Sequence, residues 1–221
     1  MAESPLFVYL HGFASSPHSN KAHFFAEKLR ARGAEVALPD LNEGEDDFRG
    51  LTLSRSVRQV RWVMDSLRAD ERGAVIVGSS LGGYTAALVA HADPRVRAVV
   101  LLAPAFDLPG RWQVWLGPER IAHWRATREL EVDHYARGRK EKLGFGLYLD
   151  AHGHPPYPQT GCPTLILHGV KDAEVSVETS RKYVSITPDA RLVELDTDHG
   201  MLDALDRIWA ESESFLAPWL P

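Results

Sequence analysis

Six short apolar runs, alternating with stretches of helical periodicity, constrain this chain more than any other feature. Residues 6–10 (LFVYL), 35–38, 74–77 (AVIV), 96–102 (VRAVVLL), 164–167 (TLIL) and 191–195 (RLVEL) are dominated by Val, Ile and Leu. Strands that are apolar along most of their length are buried on both faces, as in a parallel sheet covered by helices. The segments between them read as helices. Residues 21–32 place Ala22, Phe25, Ala26 and Leu29 on one stripe and stop at Gly33, and residues 53–67 space Val57, Val60, Val63, Met64 and Leu67 in the same way. Further helices are expected over 81–91, 176–184 and 202–215. Strand and helix alternate, which specifies an α/β fold with an open, mostly parallel, doubly wound sheet of about six strands.

The rhythm breaks once. Between the fourth and fifth runs lie about sixty residues, where a parallel crossover needs only a dozen or so. This stretch carries Trp112, Trp115 and Trp124, many charges, and the run His152-Gly153-His154-Pro155-Pro156-Tyr157-Pro158. It reads as a helical insertion followed by a proline-rich loop, the usual form of a lid or binding wall. The 221 residues fit one domain, 1–221, with 106–160 as the lid or cap insertion.

Composition narrows the function classes. A hydrophobic fraction of 44% and a charged fraction of 25% are those of an ordinary soluble protein. A formal net charge of −5 argues against a nucleic-acid partner, which calls for a basic face. No apolar segment approaches the roughly 18 residues of a membrane span. Met1-Ala2-Glu3-Ser4-Pro5 lacks the features of a secretory signal, so a cytoplasmic location is expected. Cys162 is the single cysteine, which excludes an internal disulfide and reads as a small buried residue at a strand start. The sequence sets no oligomeric state.

The third apolar run ends at Gly78-Ser79-Ser80-Leu81-Gly82, a G-x-S-x-G pentapeptide at a strand-to-helix junction. A serine on such a sharp turn projects its oxygen above the sheet, and glycines on either side let neighbouring backbone pass close. The helix starting at Leu81 points its amide end at the same place, where negative charge develops. Ser80 is therefore the candidate nucleophile. Ser79 is the rival, off the centre of the motif.

A serine hydroxyl needs a histidine held by a carboxylate, and in this kind of sheet the chain order is Ser, acid, His. Asp172 follows the fifth run and His199 follows the sixth. Asp107, after the fourth run, and Glu174, further along the fifth loop, are alternative acids. Asp196 and Asp198 adjoin His199 and read as loop-forming or solvent-facing, and His168 reads as structural. The remaining histidines follow no metal-ligand spacing. Two oxyanion donors are needed, and the candidates are the backbone N–H groups of Leu81, next to the nucleophile, and of Phe13, in the loop His11-Gly12-Phe13-Ala14.

With these residues in place, the chain resembles the α/β-hydrolase superfamily along nearly its whole length. Tyr9-Leu10-His11-Gly12-Phe13, Ser15-Ser16-Pro17, Lys21-Ala22 and Val77-Gly78-Ser79-Ser80-Leu81-Gly82-Gly83-Tyr84 look like the signatures of small bacterial esterases of the YqiA type. His168-Gly169-Val170-Lys171-Asp172 with Asp198-His199 is similar to a depalmitoylating acyl-protein thioesterase branch. The resemblance implies the α/β-hydrolase fold and a Ser80, Asp172, His199 triad, with no metal or organic cofactor. The substrate expected is a small acyl ester or thioester cleaved through an acyl-enzyme. A peptidase, lyase or perhydrolase would use the same three residues, and a binding protein of this fold would ordinarily lose one of them. Trp112, Trp115 and Trp124, with Phe106 and Leu108, either line an acyl-binding wall or anchor the insertion to the sheet.

Overall fold

In the computed structural model, residues 4–42 and 48–221 are described. The strands are β1 (Leu6–Leu10), β2 (Val36–Ala37), β3 (Ala74–Ser79), β4 (Val96–Leu102), β5 (Glu129–His134), β6 (Arg139–Gly144), β7 (Thr164–Gly169) and β8 (Ala190–Leu195). The helices are α1 (Asn20–Ala31), α2 (Leu53–Ser66), α3 (Ala69–Arg72), α4 (Leu81–Ala92), α5 (Leu108–Thr127), α6 (Gly146–Ala151), α7 (Glu178–Ile186) and α8 (Leu205–Leu216). Every apolar run becomes a strand of one sheet, in the order β2-β1-β3-β4-β7-β8. All five pairings are parallel.

Two cores result, because successive side chains of a strand point to opposite faces. Leu6, Val8 and Leu10 of β1 join Ile76, Val99, Leu101 and Ile166 on one face, beneath α2, α4, α5 and α6. Phe7 and Tyr9 join Val75, Val77, Val100, Leu165 and Leu167 on the other, beneath α1 and α8. The central helix α4 is buried at every position from Leu81 to Ala90. Its lack of an amphipathic pattern follows from that position. Helix starts are capped as the sequence provides: Ser19 accepts from the Ala22 amide and Thr52 from the Arg55 amide.

The insertion differs from expectation. It is helical at α5 and α6, but it also contains an antiparallel hairpin, β5 paired with β6 from Glu129↔Gly144 to His134↔Arg139. The period-2 pattern of Glu129-Leu130-Glu131-Val132-Asp133-His134 carries this strand, though half its positions are charged. Its charges pair across the hairpin, Lys142 with Glu129 at 2.7 Å and Lys140 with Glu131 at 3.1 Å. Gly117, at φ 71° and ψ 165°, breaks α5 before Pro118, so the element is two helical pieces joined at a kink.

Trp124 fastens these parts together. It is fully buried, donates from Nε1 to the Leu143 carbonyl at 3.0 Å, and packs on Trp112, Phe145 and Tyr148. The hairpin then reaches the β2–α2 and β1–α1 loops through backbone bonds, Gly144 N–H to the Arg49 carbonyl and Ala136 N–H to the Ala14 carbonyl. Tyr84 of α4 and Tyr183 of α7 hold the proline-rich loop by its Pro155 and Pro158 carbonyls.

Replacing Trp124 by Phe removes the Nε1 donor of the Leu143 carbonyl and opens space in the cluster. A loss of about 2–4 kcal/mol in chemical denaturation is expected.

Candidate active site

The strand order reverses between β1 and β3, since the chain runs outward from β1 to β2 and then returns to build β3, β4, β7 and β8 on the other side. Open α/β sheets bind ligands in the crevice beyond the carboxyl ends of the strands at such a point. The β1–α1 loop and Ser80 meet there. A Cβ placed on Gly12 would lie 3.3 Å from the Ser80 Cβ and 3.9 Å from its Oγ, so the loop bearing Phe13 runs directly beside the serine hydroxyl.

Ser80 has φ 54° and ψ −116°, a strained backbone for a residue with a side chain. Three hydrogen bonds hold it. Its N–H donates to the Leu102 carbonyl at 2.8 Å, and its carbonyl accepts from Tyr84 N–H at 3.1 Å and Ala105 N–H at 3.0 Å. The motif glycines are sterically required. A methyl on Gly82 would overlap the Leu10 and His11 carbonyls, and one on Gly78 would overlap the Gly82 carbonyl. Ser79, the rival serine, is buried as the last residue of β3. Leu81 is the first residue of α4 and follows Ser80 directly.

Asp172 and His199 are brought together from different strand ends. His199 Nδ1 lies 2.6 Å from Asp172 Oδ2. Gly169 permits the approach, because a side chain there would collide with the Thr197 and Asp198 carbonyls. Backbone bonds from Val170 N–H to the Leu195 carbonyl and from Lys171 N–H to the Thr197 carbonyl lock the two loops. The Asp172 side chain is fully buried and accepts from the amides of Glu174 at 2.9 Å and Val175 at 2.7 Å. Burial alone would raise its pKa. Hydrogen bonds from His168 and His199, the His199 charge and the Val175 amide outweigh that and hold the carboxyl well below the usual carboxylate range.

His168, expected only as a structural residue, supports the acid. It is fully buried, with Nε2 2.8 Å from the Val175 carbonyl and 3.2 Å from Asp172 Oδ2, and Nδ1 2.7 Å from Ser180 Oγ. It fixes both the acid and the loop that supplies its amides. A histidine closing a buried strand four residues before an acid was the available signal. The rival acid Asp107 sits at the start of α5 with φ 51° and its carboxylate turned toward Gly110. Glu174 is 63% exposed and places Oε2 3.7 Å from His199 Nε2, on the side of the ring away from Asp172. Asp196 is exposed and pairs with Lys171, and Asp198 accepts from Met201 N–H, as loop residues do. Two cations flank the pair. Lys21 Nζ donates to the His199 carbonyl at 3.4 Å, and Arg111 donates to the Glu174 carbonyl at 2.7 Å.

Of the tryptophans, Trp112 is buried and meets Phe13 edge-on with centroids 5.9 Å apart, whereas Trp115 is 60% exposed and Trp124 lies in the insertion core. Phe106 stacks on Tyr183. Among the described residues no cluster of His, Cys, Asp and Glu could hold a metal ion, and no helix is long and apolar enough to cross a membrane.

The depressed Asp172 pKa has a defined sign in stability. Its contribution is complete above the ordinary aspartate value, about 4, and disappears as pH falls through the lower folded value. The stability gap between the wild type and Asp172→Asn should therefore shrink between about pH 5 and pH 2 in denaturation curves.

Comparison with known proteins agrees with the fold. No curated protein sequence matches the chain. The ferulic acid complex of Est1E from Butyrivibrio proteoclasticus superposes with a TM-score of 0.84 at 21% identity, over 98% of this chain and 90% of that one. Mouse alpha/beta hydrolase domain-containing protein 10 gives 0.82 at 21% identity, over 99% and 92%. A structure from work on the metagenome-derived lipolytic enzymes LipS and LipT gives 0.73 at 20% identity, over 98% and 95%. The shared architecture is the α/β-hydrolase fold. Residues 6–215 match the family described as "Uncharacterised protein family (UPF0227)", the YqiA type that the motifs resemble, and the protein belongs to that family.

Proposed function

We propose that the protein is a serine hydrolase that cleaves small carboxylic esters or thioesters through an acyl-enzyme on Ser80. The observation that carries this reading is the 2.6 Å contact of His199 Nδ1 with the buried Asp172 carboxylate, made by loops from neighbouring strands β7 and β8. It sits at the same end of the sheet as the strained Ser80. The protein's agreement in fold with a structure from work on metagenome-derived lipolytic enzymes, and with Est1E, which binds ferulic acid, supports the same class.

In the proposed cycle, His199 Nε2 takes the proton of Ser80 Oγ as that oxygen attacks the acyl carbon. Asp172 fixes the ring with Nδ1 protonated and stabilises the imidazolium. The N–H groups of Leu81 and Phe13 receive the oxyanion, with the amide end of α4 adding favourable field. His199 then passes its proton to the leaving oxygen or sulfur, and water repeats the sequence to free the acid and Ser80. No cofactor enters this cycle. The 106–160 segment acts as a cap on the single 1–221 domain, and its Trp112 forms an apolar wall with Phe13 against the acyl chain.

A fluorophosphonate probe should label the wild type and leave Ser80→Ala unlabelled; equal labelling of the two overturns the assignment. On p-nitrophenyl esters and acyl thioesters, Asp172→Asn should lower kcat by about 10⁴-fold, since the imidazole loses its orienting acceptor. Near-normal turnover in Asp172→Asn with loss in Asp107→Asn would transfer the acid role to the loop after β4.

A further inference from the structure

Glu174 is conspicuous because the proposed cycle gives it no task, yet its carboxylate is placed beside the proton-carrying atom. Its Oε2 stands 3.7 Å from His199 Nε2, the ring nitrogen opposite the Asp172 contact. The Glu174 backbone is fixed on both sides: its N–H donates to Asp172 Oδ1 at 2.9 Å, and its carbonyl accepts from Arg111 Nη2 at 2.7 Å. The side chain therefore swings from an anchored Cα and cannot carry its charge far from the histidine.

The surrounding charges do not cancel this effect on the exposed side. The groups facing the imidazole are Asp172 and Glu174 from the loop after β7, Asp198 from the histidine's own loop, and Lys21 from α1. Arg111 of α5 faces Asp172, Asp107 and Glu174. Both cations are committed inward. Burial lowers the pKa of Lys21 despite the acids around it, and its Nζ donates to the His199 carbonyl. Arg111 is likewise desolvated and bonded to backbone. The charge presented to solvent next to Nε2 is negative.

We infer that Glu174 is a specificity-determining residue for the leaving group, favouring esters or thioesters whose departing alcohol or thiol is cationic or neutral and rejecting anionic ones such as phosphorylated thiols. The inference rests on the proposed acyl transfer. In that reaction the proton taken from Ser80 Oγ leaves Nε2 for the departing oxygen or sulfur, so that atom lies within a hydrogen bond of Nε2. That atom then lies at most about 7 Å from the Glu174 carboxylate, and a charge two carbons further along at most about 11 Å. Over about 6–11 Å one unit charge changes a rate constant by about 2- to 3-fold in a water-like dielectric and about 10- to 100-fold at the effective value of a protein surface. Acyl-chain selection is left to the Phe13–Trp112 wall, on a different element.

The test compares three butyryl thioesters that release thiocholine, mercaptoethanol or mercaptoethanesulfonate. Thiol release by the wild type, Glu174→Gln, Glu174→Lys and Ser80→Ala is followed at low ionic strength. Intrinsic leaving-group reactivity cancels when the cationic-to-anionic ratio of kcat/KM is compared between variants. The ratio should fall about tenfold or more from wild type to Glu174→Gln and further in Glu174→Lys, with the differences shrinking in high salt. A ratio that is the same in wild type, Glu174→Gln and Glu174→Lys overturns the role of Glu174. If the mercaptoethanol thioester is cleaved in a Ser80-dependent way, that failure belongs to this inference alone. If none of the three thioesters shows Ser80-dependent cleavage, the acyl-transfer reading on thioesters fails and the inference falls with it.

Discussion

The structure depends on how closely backbone can approach backbone at the carboxyl edge of the sheet. Gly82 at the start of α4 lies against the carbonyls of Leu10, the last residue of the first strand, and of His11 just past it, with no room for a methyl group. Gly169 at the end of β7 lies under the Thr197 and Asp198 carbonyls in the same way. These two contacts draw four loops into one crevice. Three of the seven non-glycine residues with positive φ among the described residues are on those loops, Ala14, Ser80 and Met201, and two more, Ala103 and Asp107, are on the adjoining loop after β4. Conformations of this kind each cost about 1–3 kcal/mol and persist only where their surroundings over-determine them. Here the surroundings are two fully buried cores and a helix, α4, that is enclosed on all sides.

Desolvation acts on the assembled crevice in opposite directions. Burial penalises the Asp172 charge, and two histidines and two amides compensate. Burial also penalises Lys21 and Arg111, whose compensation comes from nearby carboxylates and from carbonyls of the loops they touch. Each ion is therefore part of the mould that shapes the next loop. The charges of the crevice are consequently structural, and few of them are free to change alone.

Much of this was legible in the chain itself. The apolar runs identified every strand of the main sheet because burial on both faces leaves no room for polar alternation, as Ala74–Ser79 and Thr164–Gly169 show. The elbow was legible because its glycines are required by contact, and the order of Asp172 and His199 because strand ends gather at one edge. The hairpin escaped because its outward face is charged, so that Glu129, Glu131, Lys140 and Lys142 hid an alternation that Leu130 and Leu143 complete. His168 reads from sequence as structural and Glu174 as an alternative acid, but the contacts they make, like that of Arg111, are with backbone carbonyls and ring atoms brought close by folding, and no spacing along the chain encodes such contacts.

The ends of the insertion have a consequence for how such proteins diversify. It leaves from β4 and returns to β7, which are hydrogen-bonded neighbours, and the pairing continues past both junctions through Val99 N–H to the Pro163 carbonyl and Ala103 N–H to the Leu167 carbonyl. The sheet is thus closed beneath it like a seam. The segment behaves as an exchangeable cassette: its helices and hairpin can be lengthened, shortened or replaced while the strands that carry Ser80, Asp172 and His199 keep their register. The insertion and the strand ends can then vary on separate parts of one chain.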